Sequence, residues 1–505
     1  MTKTSDSSKL RSFFNNVTKE KTVSALRSFF MGKWYPIWVA FSVLIGRFTC
    51  TELYFAMIDF VLVSIALLIC DSIRPLLPNL ITFLYRIPVD HGPGTPYYSD
   101  YYFTEPVARL IPFLMLGFLV VLGYFLIKHK AFAGFNPLRN ILFMPTLALA
   151  TAFLTAGILS GNRQPKDTGF TILEFIFFFV VLFVLYFGLR MEKIEELTDY
   201  FIYIATVCSV VLIVEVLGIF VNLDQIIVDG SVEKGNIRFG WGIANTCASC
   251  LSVLIPISVL GAMRASRRYI AFIYLGIASI NLLAIFLTLA RTSLLFGAAA
   301  YIVCLIISCF AGKQRWASRI VALVIVVGVL AVFICFSDQI AHIFARYVEK
   351  GFSDSGRFNF WRYFYSEFEK APVFGNGFYH FRYGIQHTDF APSLAHNTLI
   401  ELLAATGLVG FCAYLVYRVF TLIPFFKKFT ITKLMLLGSC LVLISESFID
   451  NFIFWFNPTF VYNICIVLAV MHCEQTKREE LKDAGDVRDV VCDNVEKTSS
   501  VEENT

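Results

Sequence analysis

Apolar stretches, each close to the ~20 residues that cross a bilayer as a helix, alternate with polar turns along most of the chain. In order they fall at 35–50, 53–70, 75–88, 107–127, 141–160, 170–190 and 199–221. The series continues at 243–263, 269–289, 292–311, 319–337, 396–420, 434–449 and 457–473. The pattern predicts an all-α, polytopic membrane helix bundle of about 12–14 transmembrane helices. Segments within 35–106 are short enough to merge, which is the source of that range. Five parts follow: an amphipathic cytoplasmic segment at 1–34, a bundle at 35–337, a large extracytoplasmic loop at 338–395, further transmembrane helices at 396–473, and an acidic, disordered cytoplasmic tail at 474–505. A loop as long as 338–395 without structure of its own would be unusual, so short helices capping the bundle are expected there.

Composition narrows the class. The 505 residues are 57% hydrophobic and 16% charged, with 53 Phe and a mean hydropathy of +0.70. Too few polar side chains remain to coat soluble domains, which excludes soluble enzymes and secreted disulfide scaffolds. The net charge of +5 is distributed unevenly. Residues 1–33 carry seven basic and two acidic groups, and residues 474–505 carry five basic and ten acidic ones. Lys128, Lys130, Arg139, Arg264, Arg267, Arg268, Lys313, Arg315, Arg319, Lys427, Lys428 and Lys433 fall in alternate connections. Pro88–Pro106 lacks Lys and Arg altogether. Basic connections stay on the cytoplasmic side, so both termini are expected inside a cytoplasmic (inner) membrane and 338–395 outside. Nucleic acid is a poor explanation for this charge.

The first 33 residues lack the apolar core of a signal peptide, and none is expected. They repeat Leu10-Arg-Ser-Phe-Phe14 as Leu26-Arg-Ser-Phe-Phe30, which suits a helix lying on an anionic leaflet. Most Cys lie in apolar segments, so no disulfide framework is expected. Cys247-Ala-Ser-Cys250 reads as small residues on a packed helix face.

Three features converge on the expected outer side. Arg291 stands at the junction of two apolar spans, where it either snorkels or meets an anion. The long loop holds Arg357, Trp361 and Arg362, then Pro372-Val-Phe-Gly375-Asn-Gly377. Guanidinium groups interleaved with aromatic rings suit phosphate and sugar together, although a solvated cap has the same composition. The Pro and Gly residues predict a tight turn that presents backbone N–H groups to a ligand. His396-Asn397 opens the next span, and Gly407 and Gly410 follow where helices could approach closely. A histidine at such a mouth can accept a proton near neutral pH. Glu367-Phe-Glu369 is the nearest carboxylate pair, and no P-loop, GxSxG or HExxH occurs. Asp59, Glu174, Glu215 and Glu446 lie inside spans and could serve a proton pathway.

Together these residues resemble the O-antigen ligase and O-antigen polymerase superfamily of integral membrane glycosyltransferases. The resemblance rests on R-x3-L at Arg291 to Leu295, on H-x10-G at His396 to Gly407, and on the R…W and P-x-x-G-x-G runs between them. Arg238-Phe-Gly-Trp-Gly-Ile-Ala-Asn245 matches a further outer turn more weakly. The specific part covers Arg238 to Gly410. It implies transfer of a glycan from an undecaprenyl-diphosphate-linked oligosaccharide donor. In its terms Arg291 and Arg357 bind the diphosphate and His396 is the general base, with no metal and no cofactor. Asn397, Arg362 and Arg238 are secondary candidates, and Leu295, Gly407 and Gly410 structural members of the motifs. The acceptor is a lipid-linked repeat unit for a polymerase or lipid A–core for a ligase. The chain's length and span count favour the polymerase. The implied partners are donor, acceptor, the bilayer and, for a polymer, a chain-length regulator. A transporter or flippase of the same glycan is the alternative from another class. It would place its functional charges nearer the midplane.

Overall fold

The computed structural model describes residues 21–86, 109–160, 165–190, 192–221, 227–228, 231–232, 234, 237–239, 242–335, 357–377, 395–450 and 456–483. Helices dominate because the apolar runs have no alternative in hydrocarbon: every backbone N–H and C=O must be satisfied within the segment. In chain order they are α1 (Lys21–Met31), α2 (Trp34–Thr49), α3 (Glu52–Ile69), α4 (Leu76–Ile81), α5 (Ile111–Lys128) and α6 (Phe143–Leu159). Next come α7 (Pro165–Phe175) and α8 (Leu182–Leu189), joined by a π-helical turn at Ile176–Val181, and α9 (Ile194–Val221). Beyond two small hairpins, the first of β1 (Ile227–Val228) and β2 (Ser231–Val232), follow α10 (Ala244–Arg264), α11 (Arg268–Leu287), α12 (Arg291–Phe310) and α13 (Arg315–Cys335). The chain closes with α14 (Arg357–Lys370), α15 (Thr398–Phe426), α16 (Ile431–Ser447) and α17 (Phe456–Asp483).

Among the described residues seven helices, α3, α5, α9, α10, α11, α12 and α15, are long and apolar enough to cross a membrane. An eighth arises if α1 and α2, bent by 67° at their junction, count as one span. The chain is therefore a multi-pass all-α membrane protein. Other apolar segments are helical but shorter, as at Phe143–Leu159 and Phe178–Leu189.

The sequence-based span at 75–88 is not one helix. It is the six-residue α4 followed by a 3₁₀ turn at Phe83–Arg86, which covers roughly half of the ~30 Å hydrocarbon thickness. Arg86 ends it deep among the helices, ion-paired with Asp59 of α3. That carboxylate also accepts hydrogen bonds from Trp38 Nε1 (2.9 Å) and Ser42 Oγ (2.7 Å). Asp59 is thus engaged on both oxygens and holds the broken segment in place, a structural task instead of proton conduction. Replacing Trp38 with Phe removes one donor from a buried carboxylate and should cost about 1–3 kcal/mol, read as a lowered midpoint of thermal unfolding in detergent.

Two further expectations are revised. In the second copy of the N-terminal repeat, Phe30 is buried against Tyr35, Val39, Ala66 and Cys70, so this residue packs on protein; the first copy lies outside the described residues. The last helix continues to Asp483, so the first ten residues assigned to a disordered tail are helical.

At the centre stands α10, whose apolar and small residues surround it on every side. A helix apolar all round must be enclosed, and α9, α11, α12, α16 and α17 enclose it. Its entry is set by a hairpin of β3 (Arg238–Phe239) and β4 (Gly242–Ile243), with Arg238 paired to Ile243 and Phe239 buried. The hairpin runs straight into α10 and delivers Asn245 to the end of the bundle where α12 and α15 begin.

Candidate active site

The strongest constellation begins at the first turn of α15. Asn397 caps this helix: its Oδ1 accepts from Leu399 N (2.9 Å) and Ile400 N (3.2 Å), as an N-cap side chain should. Its Nδ2 donates to Phe448 O (2.9 Å) at the end of α16. Asn397 is therefore a clamp between two helix ends, and its polar atoms are engaged with protein.

The preceding residue, His396, has φ 50°, the left-handed region that side chains with a Cβ avoid. Several contacts hold it there. Trp361 Nε1 donates to Ala395 O (3.0 Å), Ala395 N donates to Glu401 Oε2 (3.3 Å), and the Phe360 ring stacks on the imidazole at 6.2 Å. The strained backbone carries the imidazole to Asp450, with Nδ1 3.1 Å from Oδ1. The His396 side chain remains 32% exposed while that of Asp450 is 10% exposed. Such an arrangement suits a base oriented from behind: a carboxylate at Nδ1 favours the tautomer that leaves Nε2 able to accept a proton.

Asp450 is itself held. Its N–H donates to Glu446 O (2.9 Å), which continues the last turn of α16, and its Oδ2 accepts from Asn245 Nδ2 (3.3 Å). Asn245 Oδ1 in turn accepts from Lys234 Nζ (2.7 Å). One turn deeper on α16, the buried Glu446 accepts from Ser249 Oγ (2.5 Å) and Ser252 Oγ (2.7 Å). Residues 245, 249 and 252 share one face of α10, and 446 and 450 share one face of α16. A polar seam thus joins the two helices from the mouth inward.

Cations act on the Lys234 end of this seam. Arg291 is the first residue of α12, exposed, and follows a break at Leu289 (φ 57°). Arg357 opens α14. The Lys234 ammonium loses part of its hydration here and feels the Arg291 and Arg357 charges, so its pKa lies below that of an ordinary lysine despite Asp450. Lys234 thus feels the charges of Arg291 and Arg357 on one side and connects through Asn245 to Asp450 and His396 on the other. Arg362 is exposed on α14, about 140° around the helix from Arg357. Leu295 is 62% exposed on the outward side of α12. Arg238 enters through the backbone of its hairpin. Glu367 is tied to Lys370, whereas Glu369 is exposed, so this carboxylate pair does not converge.

The Pro372–Gly377 turn has a different role from the one its sequence suggests. Gly375 N donates to Ala371 O, Asn376 N to Ala404 O and Gly377 N to Ala405 O, all at 2.9 Å. In return Leu408 N donates to Pro372 O (2.8 Å) and Val409 N to Val373 O (3.2 Å). The turn is clasped in a break of α15 at Gly407 (φ 63°, ψ −165°). The N–H groups of Asn376 and Gly377 satisfy the broken helix and that of Gly375 the turn itself, so these three are not offered to a ligand. Gly407 and Gly410 likewise serve the break: a Cβ on Gly407 would fall 2.3 Å from Val373 O, and one on Gly410 2.1 Å from Thr406 Oγ1. The nearest neighbours are the turn for Gly407 and α15's own Thr406 for Gly410.

Asp450 and Lys234 escaped sequence reasoning, and Asn245 entered it only as the last residue of a motif. The available signal was Asp450 in Ser-Phe-Ile-Asp-Asn at the end of an apolar span, one turn beyond Glu446.

Residues 276–415 match the O-antigen ligase family model (Wzy_C). The matched stretch carries Arg291, Arg357, His396 and the clasp. It supports the O-antigen ligase and polymerase superfamily, and with it a glycan-transferring type of function acting on lipid-linked substrates in a membrane. Lys234 and Asn245 precede the matched stretch and Asp450 follows it. No curated protein matches the chain.

Proposed function

We propose that the protein is a membrane glycosyltransferase that polymerises surface-polysaccharide repeat units from an undecaprenyl-diphosphate-linked oligosaccharide. It acts at the outer face of the cytoplasmic membrane, with both termini in the cytoplasm. The observation that carries this reading is His396, backed by Asp450 at 3.1 Å, at the end of the helix bundle where α12 begins with Arg291 and α14 with Arg357.

The chemistry follows from the groups present. His396 Nε2 takes the proton of an acceptor sugar hydroxyl, and the Asp450 carboxylate stabilises the imidazolium that forms. The oxygen attacks the anomeric carbon from the side opposite the diphosphate. The bond from that carbon to the phosphate oxygen breaks, and the configuration inverts. Negative charge grows on the departing lipid diphosphate, where the Arg291 and Arg357 guanidinium groups stabilise it in the place a divalent metal would otherwise take. A transporter of the same glycan would have no use for an oriented base beside these cations.

The test is transfer by purified protein in bilayers from an undecaprenyl-diphosphate-linked repeat unit, with and without EDTA. A product ladder from the wild type is expected, insensitive to EDTA and absent in His396→Ala, Arg291→Ala and Arg357→Ala. Transfer only after addition of lipid A–core would identify a ligase. Movement of substrate across the bilayer with no transfer to any acceptor would overturn the proposal.

A further inference from the structure

We propose that Cys473 and Lys433 form a peroxide-sensitive modification site at the end of α15 far from His396, where the oxidised thiol is captured by the lysine as a reversible S–N bridge between α16 and α17. The inference does not rest on the transfer reading above.

Three helices meet there. α15 stops at Phe426, and the carbonyls of its last turn need donors from elsewhere. Lys433, in the first turn of α16, donates from Nζ to Lys427 O (2.7 Å), and Cys473 of α17 donates from Sγ to Pro424 O (3.3 Å). Capping of α15 accounts for both bonds. It does not account for a third, in which Lys433 Nζ also donates to Cys473 Sγ at 3.0 Å. Lys433 is 1% exposed, a rare degree of burial for lysine. Its stem is therefore packed in protein, and Nζ is held against the sulfur instead of sweeping through solvent. Cys473 is partly exposed, and Gln475 and Lys477 just beyond it are exposed. A small oxidant can reach the thiol from that end.

The contact gives the lysine two chemical tasks. Peroxide is attacked by a thiolate, and the ammonium stands where that negative charge forms. The sulfur attacks one peroxide oxygen and the O–O bond breaks. The departing hydroxide takes a proton from Lys433 Nζ and leaves as water. Cys473 is now a sulfenic acid beside a neutral amine, and sulfenic acids condense with nitrogen to sulfenamides. Nζ attacks the sulfur, the S–O bond breaks, and the hydroxide released takes a second amine proton as water. One thiolate, one ammonium and one peroxide thus give one S–N bond and two waters. A thiol that attacks the bridged sulfur breaks the S–N bond and returns the amine.

The experiment treats full-length protein in lipid nanodiscs with hydrogen peroxide and maps its peptides by mass spectrometry. The expected product is a linked pair of peptides carrying Lys433 and Cys473, two hydrogens lighter than their sum and separated again by dithiothreitol. In Lys433→Arg the bridge should be absent, and dimedone labelling of the Cys473 sulfenic acid should rise several-fold because its trap is gone. Cys50 and Cys412 are exposed and, among the described residues, have no lysine bonded to the sulfur. They should form no bridge under the same treatment. Peroxide-treated wild type without a bridge at Lys433 overturns the inference, whether Cys473 is then unmodified, dimedone-labelled or oxidised further. Linkage of Cys473 to other lysines as readily as to Lys433 also overturns it.

Discussion

Asp450→Asn should lower the rate of glycan transfer by roughly 10²–10⁴-fold while leaving the protein folded and inserted. The substitution keeps the size and shape of the side chain, and Asn245 can still find an amide oxygen to bond. What it removes is the acceptor that fixes the proton on Nδ1 of His396. An amide Nδ2 facing that ring nitrogen donates to it and drives the imidazole to the other tautomer, with the proton on Nε2. In that form the nitrogen facing the acceptor hydroxyl can no longer take a proton. The loss should appear in kcat, with donor KM little changed, because Asp450 is 3.1 Å from His396 and in the proposed mechanism the arginines hold the donor. Combining Asp450→Asn with His396→Ala should add little to the histidine variant alone, since residues acting as a unit are not additive. A wild-type rate in Asp450→Asn would remove the carboxylate from the mechanism.

The second large effect is on the fold. Gly407→Ala should destabilise the protein by ~3–5 kcal/mol, measured as a lowered thermal midpoint in detergent and as reduced yield of inserted protein. Two independent causes act there. At φ 63° with ψ −165° the residue sits where side chains are rarely found. An added Cβ would also lie 2.3 Å from Val373 O and 2.7 Å from Gly375 N. Both of these are backbone atoms and cannot swing aside. Gly375→Ala faces the reciprocal clash, 2.4 Å from the Ala405 carbonyl at φ 71°. The clasp joins α14, which begins with Arg357, to α15, which begins beside His396. Protein that survives either substitution should therefore also lose transfer. Gly117→Ala is the control: nothing lies within 4 Å of its Cβ in α5, and the change should be neutral or stabilising by about 0.5–1 kcal/mol.

The paired glycines illustrate how far a motif can be read. Pro372, Gly375 and Gly377 are visible in the sequence as a tight turn, and the turn is there. Its partner is a break in a helix that starts more than twenty residues later. The N–H groups that a ligand was expected to use are satisfied by that break. Asn397 is similar: a polar residue next to the base looks chemical, and only the position of the Phe448 carbonyl makes it a clamp. The short segment at 75–88 is apolar enough to read as a span, yet the buried pairing of Arg86 with Asp59 ends it early.

Most of the helices and the membrane class were determined by the sequence alone, because each depends on local chemistry. An apolar run must close its own hydrogen bonds in lipid, and an arginine or histidine at the end of such a run is costly wherever the chain goes. Only the tertiary structure decided which helix ends meet. His396 finds Asp450 across 54 residues and Asn245 finds it across 205. Helical periodicity specifies the face on which a side chain lies and carries no information about which other face packs against it. The pairing of His396 with Asp450 and the clasp at Gly407 both depend on that packing.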